Sequence, residues 1–103
     1  DGLAMSTRNQ YLSNKDRERV LSFYRVLSNT EHSIQNGISV LSAKEDAIKS
    51  LSREFEVEYL EVLDANNLTQ IQTNTSEIII ISAIRFGGTR LIDNIVFKRK
   101  DDV

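Results

Sequence analysis

Glu77-Ile78-Ile79-Ile80-Ile81-Ser82-Ala83-Ile84-Arg85-Phe86, then Gly87-Gly88-Thr89, then Leu91-Ile92-Asp93-Asn94-Ile95-Val96-Phe97-Lys98, is the stretch that decides the fold. Four consecutive isoleucines favour extended chain, because a β-branched side chain fits a pleated surface better than a helical turn. An unbroken apolar run of this kind predicts a central strand covered on both faces. Adjacent glycines make a tight connection. Beyond them Leu91, Asp93, Ile95 and Phe97 alternate against Ile92, Asn94 and Val96, the period-two signature of a strand. The two runs read as a hairpin.

Moving toward the N-terminus, Glu56 to Asp64 is also extended, with Val57, Tyr59 and Leu63 expected on one side and Leu60 and Val62 on the other. On that alternation Glu58 and Glu61 fall on opposite faces and make no acid/base pair. Ala65-Asn66-Asn67 is a turn by composition. Earlier still the period lengthens to that of helices. Ser13 and Asp16 resemble a capping box, and Val20, Leu21, Tyr24, Leu27 and Ile34 recur at steps of three, four or seven, widened by Phe23 and Val26. Gly37 supplies a stop, since glycine enters left-handed backbone without a steric penalty. A second cap is expected at Ser42 with Glu45, leading a helix of about three turns that faces the core with Ala47, Ile48, Leu51 and Phe55. Two helices followed by three strands predict an α+β fold: two helices packed on a three-stranded, mainly antiparallel sheet, with a mobile N-terminal arm over residues 1–12.

At 103 residues the chain has room for one domain and one modest core. A composition of 40% hydrophobic and 27% charged residues is ordinary for a globular protein. The formal charge of −2 argues against nucleic-acid binding, which draws most of its affinity from a basic surplus. With no cysteine, disulfides and thiolate metal sites are excluded, and the single histidine, His32, rules out a multi-histidine metal centre within one chain. His32 reads as a solvated helix residue. No apolar run reaches the ~20 residues of a membrane span, and no signal-peptide pattern opens the chain, so the expected address is cytoplasmic. The start at Asp1-Gly2-Leu3, without methionine, suggests a piece of something longer.

Chemistry is concentrated in the arm, at Met5-Ser6-Thr7-Arg8-Asn9. Hydroxyls and backbone N–H groups hydrogen-bond phosphate oxygens, and a guanidinium meets a phosphate with a two-point fork. Such a loop is able to close on a triphosphate and stabilise a departing pyrophosphate. Composition alone favours a polar arm that only leads into the first helix, because short Ser/Thr/Arg clusters are common. Arg85 and Arg90, flanking Gly87-Gly88-Thr89, suggest an anion nest but read better as solvated residues of a hairpin. Asp93 and Asn94 read as structural, and the tail from Lys98 to Asp102 as a balanced, solvated charge run.

Asp1-Gly2-Leu3-Ala4-Met5-Ser6-Thr7-Arg8-Asn9, with Tyr11-Leu12 after it, resembles the signature loop of the pantothenate synthetases, usually DGLAMSSRN followed by YL. That loop is the family's version of the KMSKS loop of the nucleotidyltransferases. Arg85-Phe86-Gly87-Gly88-Thr89-Arg90-Leu91-Ile92-Asp93-Asn94-Ile95 is similar to the family's C-terminal stretch around RLIDN, and Tyr59-Leu60-Glu61-Val62 with Asp64 fits its order. The resemblance implies an ATP-dependent ligase. Pantoate's carboxylate attacks the α-phosphate of Mg-ATP, pyrophosphate leaves, and the amine of β-alanine then displaces AMP from pantoyl adenylate. It further implies that Ser6, Thr7 and Arg8 contact the ATP phosphates with Met5 near the nucleotide. Thr7 departs from the usual second serine but keeps its hydroxyl.

On the same resemblance, residues 1–103 form the C-terminal lid domain of a homodimeric enzyme. The histidine-bearing, Rossmann-like nucleotide-binding domain lies upstream and outside this chain. Without it the carboxylate and α-phosphate are not aligned, a contribution worth ~7–11 kcal/mol of barrier, so the chain alone is expected to be inactive. The competing reading is a small α+β interaction module that docks a protein on its sheet and binds no nucleotide.

Overall fold

A computed structural model describes residues 14–99. The order is α1 (Asn14–Gln35), α2 (Val40–Ser52), β1 (Glu56–Asp64), β2 (Glu77–Phe86) and β3 (Thr89–Lys98). The strands form one antiparallel sheet in the order β1-β2-β3, with both helices on one face. The α+β expectation holds in number, order and pairing of elements.

α1 buries Val20, Phe23, Leu27, Thr30 and Ile34. That strict three-four spacing runs through Phe23, while Leu21 is exposed and Tyr24 half-buried, so the stripe is rotated from the one read in the sequence. Thr30 is tolerated in it because its hydroxyl donates to the Val26 carbonyl at 2.7 Å. Gly37 ends the helix as expected, at φ 98°. Its N–H donates to the Ile34 carbonyl and that of Ile38 to Ser33, closing a Schellman motif.

The second helix starts three residues before the position expected from Ser42. Its cap is Ser39, whose hydroxyl accepts from the Ser42 N–H at 3.1 Å. Ser42 is thus the capped position and not the cap. Starting earlier brings Ala43 into the core beside Ala47 and Leu51. Ser13 lies outside the described residues.

β1 does not alternate cleanly. Val57 pairs with Ile84 and Tyr59 with Ala83, which leaves Glu58 as an extra residue in a β-bulge. The bulge turns Val57 onto the core face with Leu60 and Val62, correcting its expected place beside Tyr59 and Leu63. Next to the interruption, the Ser82 hydroxyl donates to the Tyr59 carbonyl at 2.7 Å. β2 and β3 are joined by a two-residue turn, Gly87 at φ 53° and Gly88 at φ 81°, the type I′ geometry whose twist matches a hairpin.

The core lies between sheet and helices. Phe23, Leu27, Leu51, Ile78, Ile80 and Ile84 are fully buried, and each such side chain contributes about 1.5–3 kcal/mol. Phe23, Phe55 and Phe86 pack ring to ring at 6.3 and 5.7 Å between centroids. The opposite face of the sheet is not covered among the described residues. Ile79 and Ile81 remain half-buried, and Ile92 and Val96 are 46% and 52% exposed. Coverage on both faces, expected from the isoleucine run, is therefore not supplied by these helices.

Candidate functional site

Met5, Ser6, Thr7 and Arg8 lie outside the described residues. What the structure places is the end of the domain to which they are attached. The first turns of α1 sit against the β2–β3 hairpin: the Arg19 guanidinium lies 6.0 Å from the centroid of the Phe86 ring, and the Ser22 hydroxyl donates to Glu54 at 3.0 Å. The other end of α1 meets the far end of β3, where the Gln35 amide donates to the Lys98 carbonyl at 3.1 Å. The start of α1 and the hairpin therefore share one end of the described domain.

A charged cluster occupies that end. The two-residue turn sets Arg85 directly opposite Arg90. Like charges in this position repel. The bulge supplies the remedy, because Glu58 reaches across: one carboxylate oxygen accepts from the Arg85 Nε and the other from the Arg90 Nε, the latter at 2.6 Å. Hydrogen bonds from Arg85 and then Arg90 hold the Glu58 carboxyl below its usual range, against a smaller opposing push from burial. Glu58 in turn raises Arg85. With each Nε engaged, the terminal nitrogens of both guanidiniums keep open edges, the side chains being 51% and 45% exposed. The two arginines are thus not simply solvated, as the sequence suggested. The missed signal was available: a Gly-Gly turn forces Arg85 opposite Arg90, and such a pair needs an anion nearby.

The bulge also corrects the two glutamates. Glu58 meets Arg85 and Arg90 on the face that, by register, carries Glu61 as well, so they share a face. Each has its own cation, Glu61 accepting from the Lys44 ammonium at 3.1 Å. They form no two-carboxylate centre.

Two other carboxylates are structural. Asp64 accepts from the N–H groups of Asn66 at 2.8 Å and Asn67 at 3.3 Å and from the Thr75 hydroxyl at 2.9 Å. These bonds, Asn66 first, depress its pKa and fold the 65–76 loop, in which Leu68 is held at φ 57°. Asp93 is buried on the core face, and burial raises its pKa against a hydrogen bond from the Asn94 N–H. An open groove of about 740 Å³ between α2 and that loop, lined by Leu41, Leu68 and Ile71 among others, lies away from the β2–β3 turn. His32 is exposed in the last turn of α1, also away from the hairpin. Among the described residues no group of three His, Asp or Glu is arranged to hold a metal ion, and no helix is long and apolar enough to cross a membrane. The described residues offer fixed cations for an anion, not a nucleophile with its base.

This fold, with that arrangement at one end, defines a small α+β domain, and the comparisons say to which family it belongs. The family model described as Pantoate-beta-alanine ligase matches residues 1–96, and the chain belongs to that family. It is 48% identical over 101 residues to a pantothenate synthetase of Vesicomyosocius okutanii, covering 98% of this chain and 36% of the relative. It is 49% identical over 98 residues to that of Ruthia magnifica, covering 95% of this chain and 35% of the relative. A crystal structure of pantothenate synthetase from Thermus thermophilus superposes with a TM-score of 0.78 at 33% identity, over 91% of this chain and 35% of that one. The chain thus spans about a third of the length of these relatives.

Proposed function

We propose that this chain is the C-terminal lid domain of an ATP-dependent ligase that condenses pantoate with β-alanine through a pantoyl-adenylate intermediate. The observation that carries the reading is 48% identity, spread over nearly the whole chain, to a protein named pantothenate synthetase. Residues 1–12 are the KMSKS-like loop. Ser6 and Thr7 donate hydroxyl hydrogen bonds to the ATP phosphates, Arg8 meets them with its fork, and Met5 lies against the nucleotide. Charge that builds on pyrophosphate as the pantoate carboxylate attacks the α-phosphorus is stabilised by these groups. Mg²⁺ enters with ATP and is held mainly by the nucleotide-binding domain, as are adenine, pantoate and β-alanine.

The chain alone is inactive on this reading, because the groups that align the two reacting centres belong to that other domain. Like the full enzyme, it acts in the cytoplasm, and the full enzyme is a homodimer. The test is a chimera in which this chain replaces the matching third of the Vesicomyosocius okutanii relative, assayed for AMP release that needs both pantoate and β-alanine. A folded chimera that releases none would favour the second reading, an interaction module without nucleotide chemistry, which has the uncovered sheet face in its support.

A further inference from the structure

Six large apolar side chains stand exposed among the described residues, and three of them, Ile38, Leu41 and Leu68, line the adjoining grooves away from the β2–β3 turn. Clustering of this kind marks a surface that something covers. The larger groove, of about 740 Å³, is apolar at Leu41, Leu68 and Ile71. Leu68 stands there at a positive φ of 57°, a strained setting held by its N–H bond to the Asp64 carbonyl, and its side chain is 62% exposed. Arg99 forms part of the groove wall. Its N–H donates to the Ser76 carbonyl at 2.7 Å, and its guanidinium donates to the carbonyls of Gln72 and Thr75 at 2.9 and 3.4 Å. The last described residue is thus pinned at the groove. Lys100-Asp101-Asp102-Val103 follow it, beyond the residues 1–96 that the family model matches.

We propose that residues 100–103 run extended across this groove as a strap, with Val103 on Leu41 and Leu68 and the Asp101 carboxylate beside Lys44. The inference does not depend on the lid reading. Reach permits it: four extended residues span roughly 13 Å, and a cube of the groove's volume is about 9 Å on edge. Alternation selects the contacts. In an extended chain positions 99, 101 and 103 point to one side, so Asp101 and Val103 turn inward with Arg99 while Lys100 and Asp102 meet water. Charge agrees. The charged side chains that line the groove are Lys44, Glu61 and Arg99, a net positive set, whereas residues 100–103 carry one excess negative charge. Lys44, paired with Glu61 at 3.1 Å, keeps further ammonium donors. A second copy of the chain is the poorer occupant. Three apolar side chains offer far less than the ~800 Å² per partner that separate molecules need, and two such ends meeting would set Arg99 against Arg99.

The absence of cysteine makes the test direct. Leu41→Cys, at an exposed helix position in the groove, and Arg25→Cys, on the solvent side of α1, are each placed in the full 103-residue chain. Reaction with a maleimide probe is timed with residues 100–103 intact and with Val103→Asp, Asp101→Asn or Asp102→Asn added. None of these changes touches the core, so the fold persists in every variant. The proposal expects the thiol at position 41 to react at least fivefold faster with Val103→Asp, and faster with Asp101→Asn, than with the strap intact. Asp102→Asn, which removes the same charge from the outward side, should leave the rate unchanged, and position 25 should respond to none of the three. An unchanged rate at position 41 with Val103→Asp overturns the proposal, because the groove is then open to other occupants. Equal effects of the two aspartate variants also overturn it, since the strap would then have no inward side. So does a slow reaction of the intact chain that accelerates on dilution, because the occupant is then a second copy.

Discussion

Arg85 and Arg90 stand directly opposite each other across the β2–β3 hairpin, and a single carboxylate, Glu58, accepts a hydrogen bond from the Nε of each. Three features converge on that contact: a type I′ turn that fixes the pairing, a bulge that turns Glu58 outward, and two forks left open toward solvent.

Glu58→Gln should leave two cations facing each other with no anion between them. Its pKa is lowered in the folded state, so its contribution is present above the ordinary glutamate value of about 4.3 and is lost as pH falls through the lower folded value. Thermal unfolding should show the variant less stable at pH 7, with the gap narrowing in 1 M salt and closing as pH falls through the lowered folded value. A gap independent of pH and salt would assign the loss to packing.

Asp93→Asn should act with the opposite sign. Burial raises the folded pKa of Asp93, so the native protein gains stability as pH falls from that raised value toward the ordinary one near 3.9. Comparing urea unfolding of the two proteins over this window should show the gain in the native chain and not in the variant. Parallel profiles would mean that the carboxylate is better solvated than its surroundings indicate.

Ser39→Ala should cost about 1 kcal/mol by removing the cap of α2. Ser42→Ala, at an exposed position inside the helix, should be neutral or slightly stabilising, since alanine is the better helix former. Chemical denaturation of both variants distinguishes the observed cap from the one expected at Ser42.

Gly88→Ala should cost roughly 1–2 kcal/mol, because φ 81° places the new Cβ in left-handed backbone. Gly88→Asn should lose less. Equal losses would indicate that the turn changes type to accommodate the side chain.

The architecture was legible because its signals are local. The Ile78–Ile81 run, the paired glycines and the alternation from Leu91 to Phe97 each specify their element without reference to anything distant. Misreadings came where tertiary structure intervened. The extra residue at Glu58 is set by pairing with β2, so the faces of Val57 and Glu58 could not be read from β1 alone. Both Ser39 and Ser42 have capping chemistry, and the burial of Ala43 favours the earlier start. The isoleucine run signalled a strand covered twice, but the second cover is not on the described part of the chain. As for the candidate site, residues 5–8 were put forward on the family motif and lie outside the described residues, while the partnership of Glu58 with Arg85 and Arg90 depends on the bulge and emerged only from the fold.

The most direct measurement of the central claim is the rate of AMP release by the chimera carrying Arg8→Ala, set beside the unmodified chimera. Loss of a phosphate-stabilising donor at the moment of charge development should lower kcat by ~10²–10³ with the circular dichroism spectrum and melting temperature unchanged. A folded Arg8→Ala chimera that turns over at the unmodified rate would contradict the account, because the arm would then take no part in the chemistry.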